Sequence, residues 1–291
     1  MAIALITGCS TGIGYETALR FGRSGDRVYA TMRDLAKAGA LRDAAVAEGL
    51  DVRTVQLDVD SQASIDQAVA HVLREEGQVD VLVNNAGVTG VGPIETTTDG
   101  EWHAVFETNF FGPLRVIRAV LPGMRERQSG TIVNVSSAAG RLVAPVYGQY
   151  HSSKWALECA TETLALEVKQ FGIRVALIEP GFFVTPILDK ALRAWSERDA
   201  SPYEDIERRM KDLYAAAGES GGDPAVVAAV IEEAVRTPDP KLRWVVGADA
   251  EGFIAGRSRL TDEEYQTLGE KMTDEEWWAK FFEFFPQPVE A

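Results

Sequence analysis

The sequence predicts an α/β fold, a doubly wound and mostly parallel sheet of about seven strands with helices on both faces. Three observations predict it. Short runs of Val, Ile and Leu on successive positions recur through the first 180 residues, as expected of strands buried on both faces. Stretches of helical periodicity, about 15–25 residues each, lie between them, and such strand–helix–strand repetition implies parallel neighbours joined by crossovers. A glycine-rich turn, Thr7-Gly8-Cys9-Ser10-Thr11-Gly12-Ile13-Gly14, connects the first run to the first helical stretch.

Strands are expected at Ala2–Ile6, Val28–Thr31, Val52–Leu57, Val79–Asn84, Thr131–Val135 and Val175–Glu179, with a seventh at Arg243–Val246 after a helix near Pro224–Val235. Asp60 is placed to cap a helix whose Ile65, Val69, Val72 and Leu73 recur at helical spacing. Residues 182–222 hold no strand pattern; Ile206, Met210, Leu213 and Tyr214 instead share one face of a helix that follows Pro202. The last forty residues are acidic and aromatic, with Trp277, Trp278, Phe281, Phe282, Phe284 and Phe285 inside nine positions. No Gly/Ser or Pro linker separates either region from the rest. Residues 1–291 therefore read as one domain with an inserted cap (182–222) and a C-terminal extension (248–291).

With 291 residues, 46% hydrophobic and 25% charged, the chain can build a sizeable core. Its 29 Lys and Arg against 44 Asp and Glu leave a net charge of −15. That balance argues against nucleic acid, which needs a basic footprint, and against anionic membrane surfaces. No apolar run approaches the roughly 20 residues of a spanning helix, and the amino terminus lacks the basic flank of a signal peptide. Cys9 and Cys159 do not suggest a disulfide framework, and His71, His103 and His151 make no zinc signature. The expectation is a cytoplasmic protein without a structural metal.

The glycine-rich turn has the strand-before, helix-after context of a nucleotide loop. Gly8, Gly12 and Gly14 permit a tight turn and a close backbone approach, while Ser10, Thr11 and Ile13 bring the turn to a helix amino terminus. Free N–H groups and a partial positive charge there suit a pyrophosphate. The spacing is TGxxxGxG rather than GxGxxG. Together with Asn84-Asn85-Ala86-Gly87 and Tyr150-His151-Ser152-Ser153-Lys154, it resembles the classical short-chain dehydrogenase/reductase family, whose domain is a single Rossmann-like fold. The resemblance runs in order over about residues 3–186 and rests on several independent motifs. Cys9-Ser10 and Val28-Tyr29-Ala30-Thr31-Met32-Arg33-Asp34 look most like the 17β-hydroxysteroid/retinol dehydrogenase-like branch.

The end of the second strand is where such folds read the adenosine ribose. A carboxylate there accepts from the 2′-hydroxyl of NAD, and a basic residue pairs with the 2′-phosphate of NADP. Arg33 stands at this place, with Ser10 as a second donor, so NADP(H) is favoured; Asp34, one residue on, keeps NAD(H) open. The resemblance places Asp58 and Val59 at the adenine, with a helix cap as the alternative role for Asp58. Asn85, Ala86 and Gly87 belong to the same cofactor set.

Tyr150 and Lys154, four apart on an expected helix, leave the same face one turn apart. A phenol with its ordinary pKa near ~10 exchanges protons poorly at neutral pH, and a nearby ammonium favours the phenolate. A phenol so tuned can deliver a proton to the alkoxide formed when hydride reaches a ketone. By resemblance Ser137, thirteen residues before Tyr150, hydrogen-bonds the substrate oxygen, the spacing favouring it over Ser136. Asn109 matches the family asparagine that kinks its helix and holds a water leading to the lysine. Pro180, Gly181 and Thr185 match the pattern that meets the nicotinamide, with the Val184 N–H on its carboxamide. Asn109, Ser137, Tyr150 and Lys154 thus form an intact tetrad. His151 should point about 100° away around the helix, to the surface or an interface.

The substrate pocket is expected to involve Val143, Tyr147 and Phe182 beside Ser137 and Tyr150, with Arg141 the exceptional charge among apolar neighbours. Such a pocket suits a lipophilic carbonyl or secondary alcohol, steroid-, retinoid- or aromatic-like. The C-terminal aromatics read as a packing face, and nine acidic residues after Arg259 argue against membrane insertion. Ala156, Ala160, Leu164 and Val168 correspond to the family's subunit-contact helix, which implies a homodimer or homotetramer. Competing readings are an NAD-linked alcohol dehydrogenase, a non-catalytic nucleotide-binding regulator, against which the intact tetrad argues, and an extended-branch epimerase or dehydratase, whose GxxGxxG loop this chain lacks.

Overall fold

The computed structural model describes residues 1–286; the last five residues of the expected extension lie outside it. The first half of the chain alternates β1 (Ile3–Ile6), α1 (Gly12–Arg23), β2 (Arg27–Met32), α2 (Gly39–Glu48), β3 (Val52–Gln56), α3 (Gln62–Glu76) and β4 (Val81–Asn84). There follow α4 (Asp99–Phe106), α5 (Gly112–Arg127), β5 (Gly130–Val135), α6 (Gly148–Val168) and β6 (Ile173–Pro180). The insertion holds α7 (Pro186–Ser196) and α8 (Glu204–Ser220), and then come α9 (Pro224–Arg236) and β7 (Arg243–Val246). The extension adds α10 (Ala248–Arg259), α11 (Asp262–Gln266) and α12 (Asp274–Phe284).

The sheet runs β3-β2-β1-β4-β5-β6-β7, every pairing parallel. Alternate side chains serve opposite faces. Ala4, Ile6, Val28, Ala30, Val83 and Val133 pack with Leu19, Phe21, Leu41 and Ile231, from α1, α2 and α9. Leu5, Tyr29, Leu82 and Ile132 pack with Ile65, Val116, Val120 and Leu164, from α3, α5 and α6. Burying each such large side chain stabilises the fold by about 1.5–3 kcal/mol relative to exposure. Strand order reverses between β1 and β4, so the crevice beyond their carboxyl ends is the place where such sheets bind ligands.

Several local expectations change. Ser61, not Asp60, caps α3: its hydroxyl accepts the Ser64 N–H at 3.3 Å. Asp60 instead accepts the Thr108 hydroxyl at 3.0 Å, a tertiary partner that spacing alone does not show. Leu164 and Val168 lie on the core side of α6 rather than in an outer stripe; the exposed large apolar side chains of that helix are Trp155 and Leu166. The insertion holds no strand, yet its ends are pinned by a single bridge between Phe183 and Gly222. A third cluster joins insertion to extension, where Trp195 and Met210 pack with Leu268, Trp277, Phe281 and Phe285. Among the described residues no helix is long and apolar enough to cross a membrane.

Candidate active site

One cavity opens at the β1–β4 crevice and runs from the glycine-rich turn, past Ser137, Tyr150 and Lys154, into a chamber under α8 and α12. At its first end two loops are stitched together. The Thr7 hydroxyl accepts the Asn85 and Ala86 N–H groups at 3.0 Å each, and the Asn85 amide donates to the Thr7 and Gly8 carbonyls at 2.9 and 3.2 Å. Gly8 takes φ +73°, and a Cβ there would meet the Ala86 Cα at 2.8 Å, so the close approach admits no side chain. Thr11, the N-cap of α1, makes no side-chain cap. The first N–H groups of that helix are thus left to an anion. The glycine cradle and this donor set fit a dinucleotide.

Ser10, Thr11, Gly12, Ile13, Arg33, Asp58, Val59, Asn85, Ala86, Gly87, Pro180, Gly181 and Thr185 all line the cavity. Arg33 is exposed there. Asp34 is engaged elsewhere, its carboxylate accepting the Ala36 N–H at 2.9 Å to cap a short turn. Gly14 is buried behind the loop. Val184 is not brought to the site: it is exposed, and its N–H donates to the Gly222 carbonyl at 2.9 Å because the Phe183–Gly222 bridge claims it. Asp249, on α10, accepts the Phe182 N–H at 2.6 Å and fixes the chain just after Gly181.

At the centre, Ser137 donates to the Pro180 carbonyl at 3.4 Å and accepts the Ala139 N–H at 3.2 Å. Burial pushes the Tyr150 phenol up and the Ser137 hydroxyl pulls it back. The expected lowering by Lys154 does not govern here. The lysine Nζ lies 5.7 Å from the Tyr150 ring centre and donates to the Val135 carbonyl at 3.0 Å. Burial brings Lys154 down to about 8, and Glu158 opposes that shift.

Asn109 sits in a π-helical turn, Glu107–Phe111. Its side chain is fully committed: the oxygen accepts the Val88 N–H at 2.8 Å, and the amide donates to the Val88 carbonyl at 2.9 Å and to Ser153 at 3.0 Å. Gly87 runs between Asn109 and Lys154, since a Cβ on it would lie 3.4 and 3.8 Å from their polar ends.

His151 is buried rather than on the surface. Its Nδ1 donates towards the Ala139 and Leu142 carbonyls at 2.9 and 2.8 Å, and Nε2 accepts the Ala144 N–H at 3.1 Å. This pattern assigns a neutral ring with the proton on Nδ1, and burial lowers its pKa accordingly. Its role is to pin the 138–144 loop to α6. Arg141 also leaves the pocket, its guanidinium 3.2 Å from the fully buried Glu179. Glu179 and Glu158 both meet Arg243 at 3.2 Å, a charged network behind Lys154 that no sequence motif announces.

The chamber is walled by Val143, Tyr147 and Phe182, as expected, and equally by residues not singled out as ligand contacts: Tyr214 from α8, and Phe253, Tyr265, Trp277 and Phe281 from the extension. The spacing of Trp277, Phe281 and Phe285 carried the signal, since a packing face can also be a roof. Arg209 holds the roof, donating to Asp274 at 2.8 Å with its guanidinium 5.6 Å from the Trp277 ring centre. Val146 adopts φ +58°, a costly conformation for a β-branched residue, while its carbonyl accepts the Gly92 N–H at 2.7 Å. Among the described residues no cluster of three or more His, Cys, Asp or Glu is arranged to hold a metal.

Comparison with known proteins agrees with this geometry. Residues 2–196 match the family model described as short chain dehydrogenase. Retinol dehydrogenase 8 of Bos taurus is 42% identical over 250 residues, 82% of this chain and 79% of that protein. Human 17-beta-hydroxysteroid dehydrogenase type 1 is 35% identical over 252 residues, covering 83% and 76%. A short chain dehydrogenase/reductase from Burkholderia phymatum, solved in complex with NAD, superposes with a TM-score of 0.78 at 27% identity over 94% of this chain and 96% of that one. With the family model covering well over half the chain, and the loop, the Tyr150–Lys154 pair and the sheet order all in place, this protein belongs to the short-chain dehydrogenase/reductase family of oxidoreductases.

Proposed function

We propose that the enzyme is an NADP(H)-dependent oxidoreductase acting between a carbonyl and a secondary alcohol on a lipophilic substrate. The observation that carries this is the single continuous cavity, in which a nucleotide cradle, the Ser137–Tyr150–Lys154 group and an aromatic chamber follow one another. When bound, the nicotinamide supplies or accepts the hydride. Ser137 hydrogen-bonds the substrate oxygen, Tyr150 exchanges its proton, and Lys154 holds positive charge beneath the phenol and binds the nicotinamide ribose. Asn109 positions this group through Val88 and Ser153. Residues 182–222 and the extension from 248 form the substrate-binding part of one domain, without Val184 in the cofactor set.

Arg33 supports NADP(H): it lines the cavity where the adenosine 2′-phosphate would sit, with Ser10 nearby, whereas Asp34 is spent as a cap. NAD(H) is the second reading, favoured by the NAD complex of the Burkholderia neighbour. Side-by-side titration with NADPH and NADH, read by energy transfer from protein to nicotinamide fluorescence, tests the choice. Tight NADPH and weak NADH are expected; the reverse assigns NAD and alcohol oxidation, and binding of neither removes the cofactor reading. A homo-oligomer through the α5–α6 side, where Phe111, Trp155 and Leu166 are exposed, completes the proposal.

A further inference from the structure

Beyond the reacting group the chamber carries a patch of stacked phenols. Tyr214 stacks on Tyr147 with ring centres 4.5 Å apart and 13° between planes. Phe182 and Trp195 meet Tyr214 edge-on at 5.1 and 5.5 Å. Packing of this kind fixes both phenols, so their hydroxyls are held in place before any ligand arrives. The Tyr147 hydroxyl is buried beside the hydroxyls of Tyr214 and Thr89. Tyr147 itself is sealed, while Tyr214 is half-buried and open to the cavity. Burial pushes both phenols above their ordinary range, so both remain proton donors at any working pH.

With Tyr147 sealed, Tyr214 is the phenol of the pair that a ligand can meet, and the Tyr147 and Thr89 hydroxyls stand behind it. The pair also lies close to the chemistry: the Tyr147 ring centre is 6.3 Å from that of Tyr150.

We propose that Tyr214, backed by Tyr147 and Thr89, is a specificity-determining hydrogen-bonding subsite, and that the substrate is a lipophilic ketone carrying a second oxygen, hydroxyl or carbonyl. This rests on the ketone-reductase reading above and narrows its substrate class. A site built to hydrogen-bond a substrate oxygen rejects the analogue that lacks it, because its own polar groups are then left unpaired.

The test uses 1-decalone and a series of 1-decalones bearing one hydroxyl at each other ring position, followed by NADPH consumption in wild type, Tyr214→Phe and Tyr147→Phe. Wild type is expected to prefer the best hydroxydecalone to decalone by about 30-fold or more in kcat/KM. Each phenylalanine variant should cut that ratio by about tenfold. A purely structural role lowers both rates together and leaves the ratio unchanged, and that result overturns the subsite. So does a wild-type preference below about threefold, while decalone turnover would leave the reductase reading standing. If cofactor binds yet no decalone turns over with NADPH or NADH, the lipophilic-ketone reading fails and takes the subsite with it.

Discussion

Glu158 lies one helical turn beyond Lys154 on α6, buried on the side away from the cavity, and it is the neighbour that raises the lysine against the effect of burial. Replacing Glu158 with Gln removes that support, so Lys154 loses its proton at a lower pH. The alkaline limb of kcat/KM is expected to move down by about one pH unit, and an unmoved limb would show the two groups to be uncoupled. Glu158 itself is held above the ordinary carboxylate range, chiefly by burial. Its contribution to stability is therefore complete at acid pH and is lost as pH rises through the raised value. The Gln variant, uncharged throughout, should show a flatter Tm between about pH 5 and 8.

Tyr150→Phe removes the proton donor and keeps the ring. We expect kcat to fall by about 10³-fold or more, with the nicotinamide fluorescence titration unchanged. Residual turnover near wild type would pass the proton role to another group.

Arg33 is exposed and makes no ion pair among the described residues, so its loss disturbs little of the fold. Arg33→Ala should weaken NADPH by about 10–100-fold, the worth of a charge-assisted phosphate contact, and NADH by far less. Equal weakening of both dinucleotides would count against the phosphate assignment.

Gly14 stands where a Cβ would lie 2.5 Å from the Gly8 carbonyl oxygen and against the Asn85 amide that ties the two loops together. Gly14→Ala is expected to cost about 2 kcal/mol by overpacking, lower Tm and weaken either dinucleotide. Gly39, with nothing within 4 Å of its would-be Cβ, is the control: Gly39→Ala should be neutral or slightly stabilising in thermal unfolding.

Asp274 joins α12 to α8 through Arg208 and Arg209. In Asp274→Ala the roof of the chamber loosens. KM for a lipophilic ketone should rise by about 3–10-fold from weaker enclosure, while dinucleotide affinity stays as it was. A parallel loss of both would place the effect in global stability, which a Tm measurement reads directly.

The parallel sheet was legible because strands such as Ala4–Ile6 and Leu82–Val83 are apolar on both faces, a pattern that local composition alone produces. Thr7–Gly14 and the Tyr150–Lys154 pair were legible because their geometry is set within a few residues. What escaped depends on partners distant in the chain. Asp60 reads as a cap until Thr108 is seen beside it. His151 reads as a surface residue until the 138–144 loop folds over it. Val168 reads as outward on a helix whose charged and apolar residues do not segregate by period. Tyr214 looked like any core residue of an amphipathic helix, because stacking on Tyr147 is decided by how the insertion packs.

The residues that line the nucleotide cradle and the reacting group end at Thr185, whereas the roof over the chamber is completed only by Phe285. A ribosome adds about 5–20 residues per second. During synthesis the segments that form the dinucleotide site therefore precede the last piece of the roof by on the order of 5–20 s. For that interval the nascent chain carries the residues that would touch a cofactor, while Asp249, which fixes the chain after Gly181, and the roof that encloses a substrate are still to come.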